Sequence, residues 1–282
     1  MRSAHALLSA ISLGLTLAGA PAQTPARADD LEVDVELVLA VDVSWSMDLA
    51  EQRIQREGYS AAFRSPEVQA AIRNGALGRV AVTYVEWAGD GTQAIVIPWT
   101  LIDTRAAADA FAYRLGAEEP MRARRTSISA AIDYSATLFD ANGYRGLRQV
   151  IDVSGDGPNN QGRPVSQARD DAVAQGLVIN GLPLMTDGGS WQSWGTIPDL
   201  DRYYAQCVTG GPGSFVLPVA EWSQFPMAVQ RKLMMELAGT WPAAPPGPDE
   251  ATVLPAAADT PADCLIGERM WQERQRGWDV PN

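Results

Sequence analysis

Acidic and hydroxyl side chains alternate at the point where an apolar run of the sequence ends. The apolar run 37–41, after Glu36, leads into Asp42, Ser44 and Ser46, which stand at alternate positions. Such a run favours a parallel strand buried on both faces, and ligands of open α/β sheets gather where these strands end. One carboxylate and two neutral oxygens favour a small hard cation such as Mg²⁺ over zinc or copper. An isolated pattern of this kind is more often a simple turn than a metal site. Other segments of the chain must therefore supply further ligands if a cation is to bind here.

Two distant segments bring further oxygen ligands to corresponding places. Thr126 stands at the start of a predicted helix, and Asp156 follows a predicted strand in a Ser-Gly-Asp-Gly turn. The loops after parallel strands meet at one edge of a doubly wound sheet. We therefore expect two carboxylates and three hydroxyls to surround one cation.

Strand and helix patterns alternate along the chain. After the run that ends at Asp42, strands are predicted at 79–87, 93–99, 148–153, 177–182 and 215–219. Helices are predicted at 48–64, 66–73, 103–115, 127–139, 164–175, 199–207 and 221–238. The connection 88–92 is short enough only for a hairpin, so one edge strand should be antiparallel. The pattern predicts an α/β, Rossmann-like domain over 29–240, with a doubly wound, mostly parallel six-stranded sheet and helices on both faces.

The first 28 residues are typical of a secretory signal peptide. Arg2 precedes an apolar core at 6–20, and we expect cleavage after Ala28, with Ala22 as the competing site. The core is shorter than the ~20 apolar residues that a membrane-spanning helix needs, and no later segment approaches that length. We therefore expect an exported protein, periplasmic or secreted, without an integral membrane segment.

Export would remove the only histidine, His5, from the mature protein. Nucleophiles that depend on Ser-His-Asp or Cys-His pairs, and zinc sites built on histidine, are then excluded. Because the leader carries Arg2 and Arg27 and no acid, its removal moves the net charge from −12 to about −14. So acidic a protein is not expected to bind nucleic acid or anionic membranes.

Cys207 and Cys264 are the only cysteines, and in an exported chain they are expected to form a disulfide rather than remain two buried thiols. The bond would tie a C-terminal segment, 263–282, back across a Pro/Ala-rich linker, 241–262. A short helix is predicted at 264–278.

The ligand segments resemble those of the von Willebrand factor type A superfamily. Its metal-ion-dependent adhesion site (MIDAS) uses a D-x-S-x-S motif, a distant Thr and an Asp in a turn. The resemblance covers about 34–238, and five segments look like a bacterial family of exported type A-like proteins of unknown function. They are Leu39–Ser44, Tyr84–Gly89, Ile151–Gly157, Ile179–Pro183 and Cys207–Gly213.

The resemblance implies a role for each ligand. Ser44, Ser46 and Thr126 would ligate the ion directly or through water, while Asp42 and Asp156 would hold ligated waters and balance charge. Mg²⁺ is the expected ion, with Mn²⁺ or Ca²⁺ as alternatives, and a carboxylate of a protein partner would complete the coordination. The chain departs from the superfamily pattern by a Trp at 45, where a small residue is usual, and a Gly at 155, where Thr is common.

Three indoles are candidates for a partner-binding rim around this site. Trp45 lies inside the ligand motif, and Trp191 and Trp194 follow the predicted strand 177–182. Exposed tryptophans beside a polar site suit recognition of a peptide or a sugar. The alternative, in which Trp191 and Trp194 fold inward as a lid on a small core, is equally compatible with the sequence.

Arg122, Arg124 and Arg125 form a basic cluster just before Thr126. A solvated patch that is paired within the molecule is favoured over a site for an anionic partner.

Three functions fit these residues, and a non-enzymatic, metal-dependent protein-binding module fits best. A Mg²⁺-dependent, phosphatase-like hydrolase with Asp42 as nucleophile needs a second Asp two residues on and a lysine near the phosphate. Ser44 occupies that position, and the only lysine, Lys232, lies in the last helix of the predicted domain. A metal-free scaffold of the same fold would show gaps among the ligands, and all five are present.

Overall fold

A five-stranded mixed sheet forms the centre of the computed structural model, which describes residues 30–186, 196–238 and 261–278. The strands lie within a compact unit that begins at Leu31, and their bounds are β1, Leu31–Asp42; β2, Val80–Trp87; β3, Gln93–Ile102; β4, Tyr144–Gly155; and β5, Val178–Pro183. Their order in the sheet is β3-β2-β1-β4-β5. The predicted signal peptide and almost all of the predicted linker lie outside the described residues.

The strand β1 occupies the middle of the sheet. It pairs in parallel with β2 on one side and with β4 on the other, so Val41 lies opposite both Glu86 and Ser154. Every residue of β1 from Val33 onward is buried, which accounts for its continuous apolar run. The predicted hairpin is also present, because β3 runs antiparallel to β2 at the edge of the sheet.

The predicted sixth strand forms only isolated bridges. Val216 pairs with Gly181, and Val219 pairs with Leu184, in both cases parallel to β5. The two bridges are three residues apart in each segment, so they do not merge into a continuous ladder. The segment extends the sheet beyond β5 without forming a regular strand.

Helices cover both faces of the sheet, as the sequence predicts. One apolar core, which contains Leu37 and Leu39 of β1, packs against four helices, and the other, which contains Val38 and Ala40, packs against three. No helix in the described ranges combines the length and apolar character that crossing a bilayer requires. The helices are α1, Leu49–Arg64; α2, Pro66–Arg73; α3, Arg105–Ala117; α4, Ile128–Thr137; α5, Val165–Ala174; α6, Leu200–Tyr203; α7, Phe225–Ala238; and α8, Ile266–Trp278. A π-helical turn, Tyr204–Val208, follows α6, and a 3-10 turn, Trp222–Gln224, precedes α7.

A capping box fixes the start of α1 two residues after Ser46. The side chain of Asp48 accepts hydrogen bonds from the N–H groups of Ala50 (2.7 Å) and Glu51 (2.9 Å). The carboxylate of Glu51 accepts one in return from the N–H of Asp48, at 2.8 Å. Such a cap contributes about 1 kcal/mol and holds the preceding loop against the end of β1.

The only lysine, Lys232, is buried in the core between two acids. Its ammonium lies 2.5 Å from a carboxylate oxygen of Asp152 on β4 and also contacts Glu236, one turn along α7. Burial raises the pKa of Asp152 from 3.8 to about 7, and the charge of Glu236 adds to this effect. The ammonium and a hydrogen bond from the Tyr59 hydroxyl act in the opposite direction. Because the pKa of Asp152 is raised, the folded chain retains a proton here that the unfolded chain loses.

The free energy of unfolding should therefore fall as the pH rises from about 4 to about 7. At Asp152 the folded chain binds one proton more than the unfolded chain in this interval, so this group alone contributes a slope of about 1.4 kcal/mol per pH unit. Glu236→Gln leaves one cation with one carboxylate and should flatten the slope, whereas Glu67→Gln on exposed α2 should not. Urea denaturation at several pH values measures this, and a parent stability that rises through the interval would contradict it.

A disulfide joins Cys207, at the π-helical turn, to Cys264, just before α8, as the sequence predicts. The two cysteines are 57 positions apart, and their Cα atoms are separated by 5.4 Å. The predicted C-terminal helix is also present, and it is anchored to the domain by this bond.

Removing the disulfide should lower the free energy of unfolding by about 2–4 kcal/mol, because closing a loop of this size restricts the unfolded chain. Cys264→Ser and reductant-treated parent protein should show the same lower urea midpoint. Reductant should have no further effect on Cys264→Ser, and equal midpoints for parent and variant would refute a stabilising bond.

Candidate functional site

Asp42 is the last residue of β1, and its carboxylate is fully buried. Its Oδ1 accepts a hydrogen bond of 2.7 Å from the backbone N–H of Ser44. Its Oδ2 has no hydrogen-bond partner among the described residues. A buried oxygen without a partner is costly, so this atom is available to a cation or to a water that a cation holds.

A chain of hydrogen bonds joins the ends of β1 and β4. The hydroxyl oxygens of Ser44 and Ser46 are 2.8 Å apart, and the hydroxyl of Ser46 donates to Oδ1 of Asp156 at 2.7 Å. Together with the contact between Asp42 and Ser44, these bonds place four of the five predicted ligands in one connected group. Oxygen atoms from two sequence-distant loops therefore converge at the carboxyl ends of neighbouring strands.

The two carboxylates of this group have raised pKa values. Burial raises the pKa of Asp42 well above its usual range, and the charge of Asp156 adds to the effect. Burial also raises the pKa of Asp156 to about 6, opposed by the hydrogen bond from Ser46 and reinforced by the nearby carboxylate of Glu51. A divalent cation would stabilise the ionised form of both groups.

Gly155 is required by the close packing around Asp42. A Cβ atom at this position would lie 3.0 Å from Oδ2 of Asp42 and 2.9 Å from the hydroxyl oxygen of Tyr204. The departure from the superfamily pattern at 155 thus coincides with a tyrosine that leaves no room for a side chain.

Tyr204 is a site residue that the sequence does not reveal. It is fully buried at the start of the π-helical turn, and its hydroxyl has no hydrogen-bond partner among the described residues. Burial, together with the charges of Asp42 and Asp156, raises its pKa, so the hydroxyl keeps its proton. It is a hydrogen-bond donor facing the same small volume as Asp42.

Thr126 lies in a loop that runs beside the serine motif. Ala123 donates to the carbonyl oxygen of Val43 at 3.2 Å, and Thr126 is tied by two hydrogen bonds to Asn160, which follows Asp156. Thr126 is buried, but its hydroxyl forms no hydrogen bond with the other four predicted ligands in the described structure. The structure brings this loop to the same edge of the sheet without linking the Thr126 side chain to the group.

A buried ion pair holds the segment that leads into this loop. Arg56 on α1 and Glu86 on β2 form an ion pair of 2.5 Å, and both side chains are almost fully buried. Arg56 also donates to the carbonyl oxygen of Glu118 at 2.6 Å, and Glu86 accepts from the N–H of Met121 at 3.0 Å. The pair fixes the loop from the core side and acts on Thr126 through the backbone.

Arg125, directly before Thr126, has a φ of 78°, in the left-handed region that a non-glycine residue rarely adopts. Across from it, a Cβ on Gly89 would lie 2.7 Å from the carbonyl oxygen of Arg124, so the loop packs against a position that only glycine can fill. Local strain of this kind, of order 1–3 kcal/mol, persists where the surroundings hold a functional loop in place.

The C-terminal helix α8 packs against the same loops. The side chain of Asn159 donates to Glu268 at 2.7 Å and accepts from the N–H of Ser129 at 3.0 Å. On the same helix, the ring of Trp271 lies under the guanidinium of Arg125, 3.3 Å from its central carbon. The segment tied back by the disulfide therefore contributes to the surroundings of the site.

The predicted rim is described only in part. Trp45 is 48% exposed and lies against the guanidinium of Arg124, whereas Trp191 and Trp194 fall outside the described residues. Within the described ranges, no three carboxylate, imidazole or thiol groups converge as a metal site. A cation here would therefore depend on hydroxyl and water ligands in addition to its two carboxylates.

Comparison with protein families matches residues 32–241 to a family described as "Protein of unknown function (DUF1194)". The chain belongs to this family. The family description assigns no activity, and no curated protein matches the sequence.

Several solved structures are similar to this chain at low sequence identity. Proximal thread matrix protein 1 from the mussel byssus, solved with a zinc-occupied MIDAS motif, is 16% identical with a TM-score of 0.54, and the match covers 75% of this chain and 49% of that one. A second crystal form of the mussel protein is 14% identical, with a TM-score of 0.54 and coverages of 75% and 49%. A von Willebrand factor type A protein from Catenulispora acidiphila is 14% identical, with a TM-score of 0.47 and coverages of 73% and 43%.

This member of the family has the von Willebrand factor type A fold, as the sequence resemblance implies. The chain spans about half the length of the mussel protein. At such low identity the mussel structures show the fold alone.

Gly155→Ala should destabilise the protein by about 1–3 kcal/mol, because the new methyl group crowds Asp42 and Tyr204. The double variant Gly155→Ala/Tyr204→Phe, which lacks the nearest atom, should recover part of the loss. Gly116→Ala on α3, where a Cβ meets nothing closer than 3.8 Å, is the matched control and should be neutral or stabilising. Thermal denaturation compares the variants, and equal effects at both glycines would contradict the proposed crowding.

Proposed function

We propose that the chain is an exported, non-enzymatic module that binds a protein partner through a divalent cation. The single observation that carries the proposal is the hydrogen-bonded group at the ends of β1 and β4, with the unpartnered buried oxygen of Asp42. Mg²⁺ is the expected ion, with Mn²⁺ or Ca²⁺ as alternatives. The residues that would hold it are Asp42, Ser44, Ser46, Thr126 and Asp156.

The donor set fits a hard cation. Two adjacent hydroxyls lie between two carboxylates in the connected group, and oxygen ligands of this kind suit Mg²⁺ and Ca²⁺. The N–H of Ser44 orients the carboxylate of Asp42, and Ser46 orients that of Asp156. Because few anionic oxygens surround it, a bound cation would supply a Lewis-acidic position that attracts a carboxylate of the partner.

The position of the Thr126 loop depends on residues outside the proposed ligand set. Its backbone is fixed by Asn160 on one side and by Glu86, through Met121, on the other. These contacts hold the backbone of the Thr126 loop, which also pairs with the serine segment through Ala123 and Val43.

Similarity to other proteins supports a divalent ion in general terms. Zinc occupies the MIDAS motif of the mussel protein that shares this fold. The choice of Mg²⁺ here rests on the chemistry of the donors in this chain. Export rests on the predicted signal peptide, 1–28.

A phosphatase-like hydrolase is disfavoured by the position of Lys232. Its ammonium is buried between Asp152 and Glu236 in the core, so it cannot neutralise a phosphate at the edge of the sheet. Ser44, in the position where such an enzyme needs a general acid, has its backbone and side chain engaged with Asp42 and Ser46. A binding role accounts for these residues without a catalytic group.

Adding Mg²⁺ to the purified mature protein should raise its melting temperature, because a ligand that binds only the folded state stabilises it by about 2.7 kcal/mol at a hundred times its dissociation constant. Asp42→Asn and Ser46→Ala should lose most of this increment. Differential scanning fluorimetry with a Mg²⁺ titration, repeated with Mn²⁺ and Ca²⁺, measures the effect.

Asp103→Asn is the matched control, since this exposed carboxylate follows β3 at the opposite edge of the sheet. It should keep the full increment. If Mg²⁺ raised the melting temperature equally in the parent, Asp42→Asn and Ser46→Ala, the cation would not bind at this site.

A further inference from the structure

A basic surface borders the candidate site of this acidic chain. Arg122, Arg124 and Arg125 lie in the loop before Thr126, and the first two are exposed while Arg125 is half-buried. None of the three forms an ion pair with a described carboxylate, although the whole chain carries a net charge of −12. The intramolecular partners of this cluster are instead aromatic rings and backbone carbonyls.

Two of these arginines are stacked on tryptophans. The central guanidinium carbon of Arg124 lies 4.4 Å from the centre of the Trp45 ring, and that of Arg125 lies 3.3 Å from the centre of the Trp271 ring. Stacking occupies the flat face of a guanidinium and leaves its N–H edge free to bind a carboxylate with two hydrogen bonds. It also restricts the side chain before binding, so less conformational entropy is lost when a ligand arrives.

Arg122 ties this surface to the metal ligands. Its guanidinium donates to the carbonyl oxygen of Trp45 at 3.1 Å and to that of Met47 at 2.9 Å. These two residues flank Ser46, whose hydroxyl belongs to the connected group. The stacked arginines are therefore held at a fixed position beside the site.

The other side of the surface is held by α8. Trp271 is placed by a helix that the Cys207–Cys264 disulfide anchors and that Glu268 joins to Asn159. Its partner, Arg125, is the residue with the strained, left-handed backbone. Two independent elements, the serine loop and the C-terminal helix, thus each present an indole to one arginine of the same loop.

We propose that the two stacked pairs, Trp45–Arg124 and Arg125–Trp271, form a docking surface for an acidic segment of the partner protein. This inference rests on the proposed function: one carboxylate of the segment goes to the cation, and neighbouring carboxylates bind the N–H edges of Arg124 and Arg125. We call this surface the arginine–tryptophan rim.

Charge favours a short acidic peptide segment over a long polyanion. The rim offers two guanidinium edges that form no ion pair with a described residue, whereas the chain as a whole is strongly acidic and repels an extended chain of negative charge. The indoles add apolar contact area for the aliphatic parts of a peptide. An acidic protein segment matches all three features of the surface, namely the metal position, the arginines and the indoles.

The test uses a short fluorescein-labelled peptide in which glutamate alternates with glycine, with fluorescence polarisation as the readout in the presence of Mg²⁺. The parent protein should bind it, and a matched peptide with glutamine in place of glutamate should not bind. Arg124→Gln/Arg125→Gln should weaken binding by about tenfold, a size typical of losing charged contacts at an interface rim. Arg145→Gln, which removes an exposed arginine at the opposite edge of the sheet, should leave the affinity unchanged.

Trp45→Leu supplies a second variant that keeps every charge. Loss of the stacking platform should weaken binding by about threefold, since the guanidinium of Arg124 must then be ordered on binding. This variant keeps the test decisive if a substitution at the strained Arg125 prevents folding.

The outcomes separate this inference from the proposed function. If the arginine variants keep the Mg²⁺-dependent rise in melting temperature but lose the peptide, both stand. If the parent binds no acidic peptide, or binds it as tightly as the double arginine variant does, the rim is overturned while the metal site survives. Tighter binding of dextran sulfate than of the peptide, equally sensitive to Arg124 and Arg125, would overturn the acidic protein segment in favour of a general polyanion surface.

Discussion

The parallel pairing of β1 with β4 is the constraint on which the site depends. The register places Val41 opposite Ser154, so Asp42 and Asp156 follow positions that the backbone ladder holds side by side. Hydrogen bonds between the main chains of β1 and β4 thus bring the two carboxylates close together. The hydroxyls of Ser44 and Ser46 then connect them. The connected group of oxygens is a consequence of sheet geometry, which explains how residues more than a hundred positions apart meet within one hydrogen bond.

Much of the fold and the ligand segments follow from local patterns. A strand buried on both faces must be continuously apolar, and the run before Asp42 shows this directly. The short, Gly-rich connection 88–92 permits only an antiparallel return, and the structure has one. Once the strands are placed, the topology requires the segments of Ser46, Thr126 and Asp156 to share an edge, although it does not fix the orientation of their side chains.

The residues that support the site could not be predicted, because their contacts join distant parts of the chain. In the sequence, Tyr204 is one position of a predicted helix and nothing links it to the site. In the structure, its hydroxyl and the carboxylate of Asp42 pack against the same glycine, Gly155. Arg56 and Glu86 stand in a predicted helix and a predicted strand, where nothing in the sequence indicates that they pair. The last predicted strand lies beside β5 but pairs only through isolated bridges, because regular pairing depends on three-dimensional register rather than on its own apolar content.

The covalent link between Cys207 and Cys264 has a consequence for proteolysis. A single cut anywhere between Ala238 and Pro261 divides the polypeptide in two, but the fragments remain joined by the sulfur–sulfur bond. The nicked molecule would migrate as one species in a denaturing gel without reductant and as two with it. A cut within 239–260 would thus leave α8 attached to its domain.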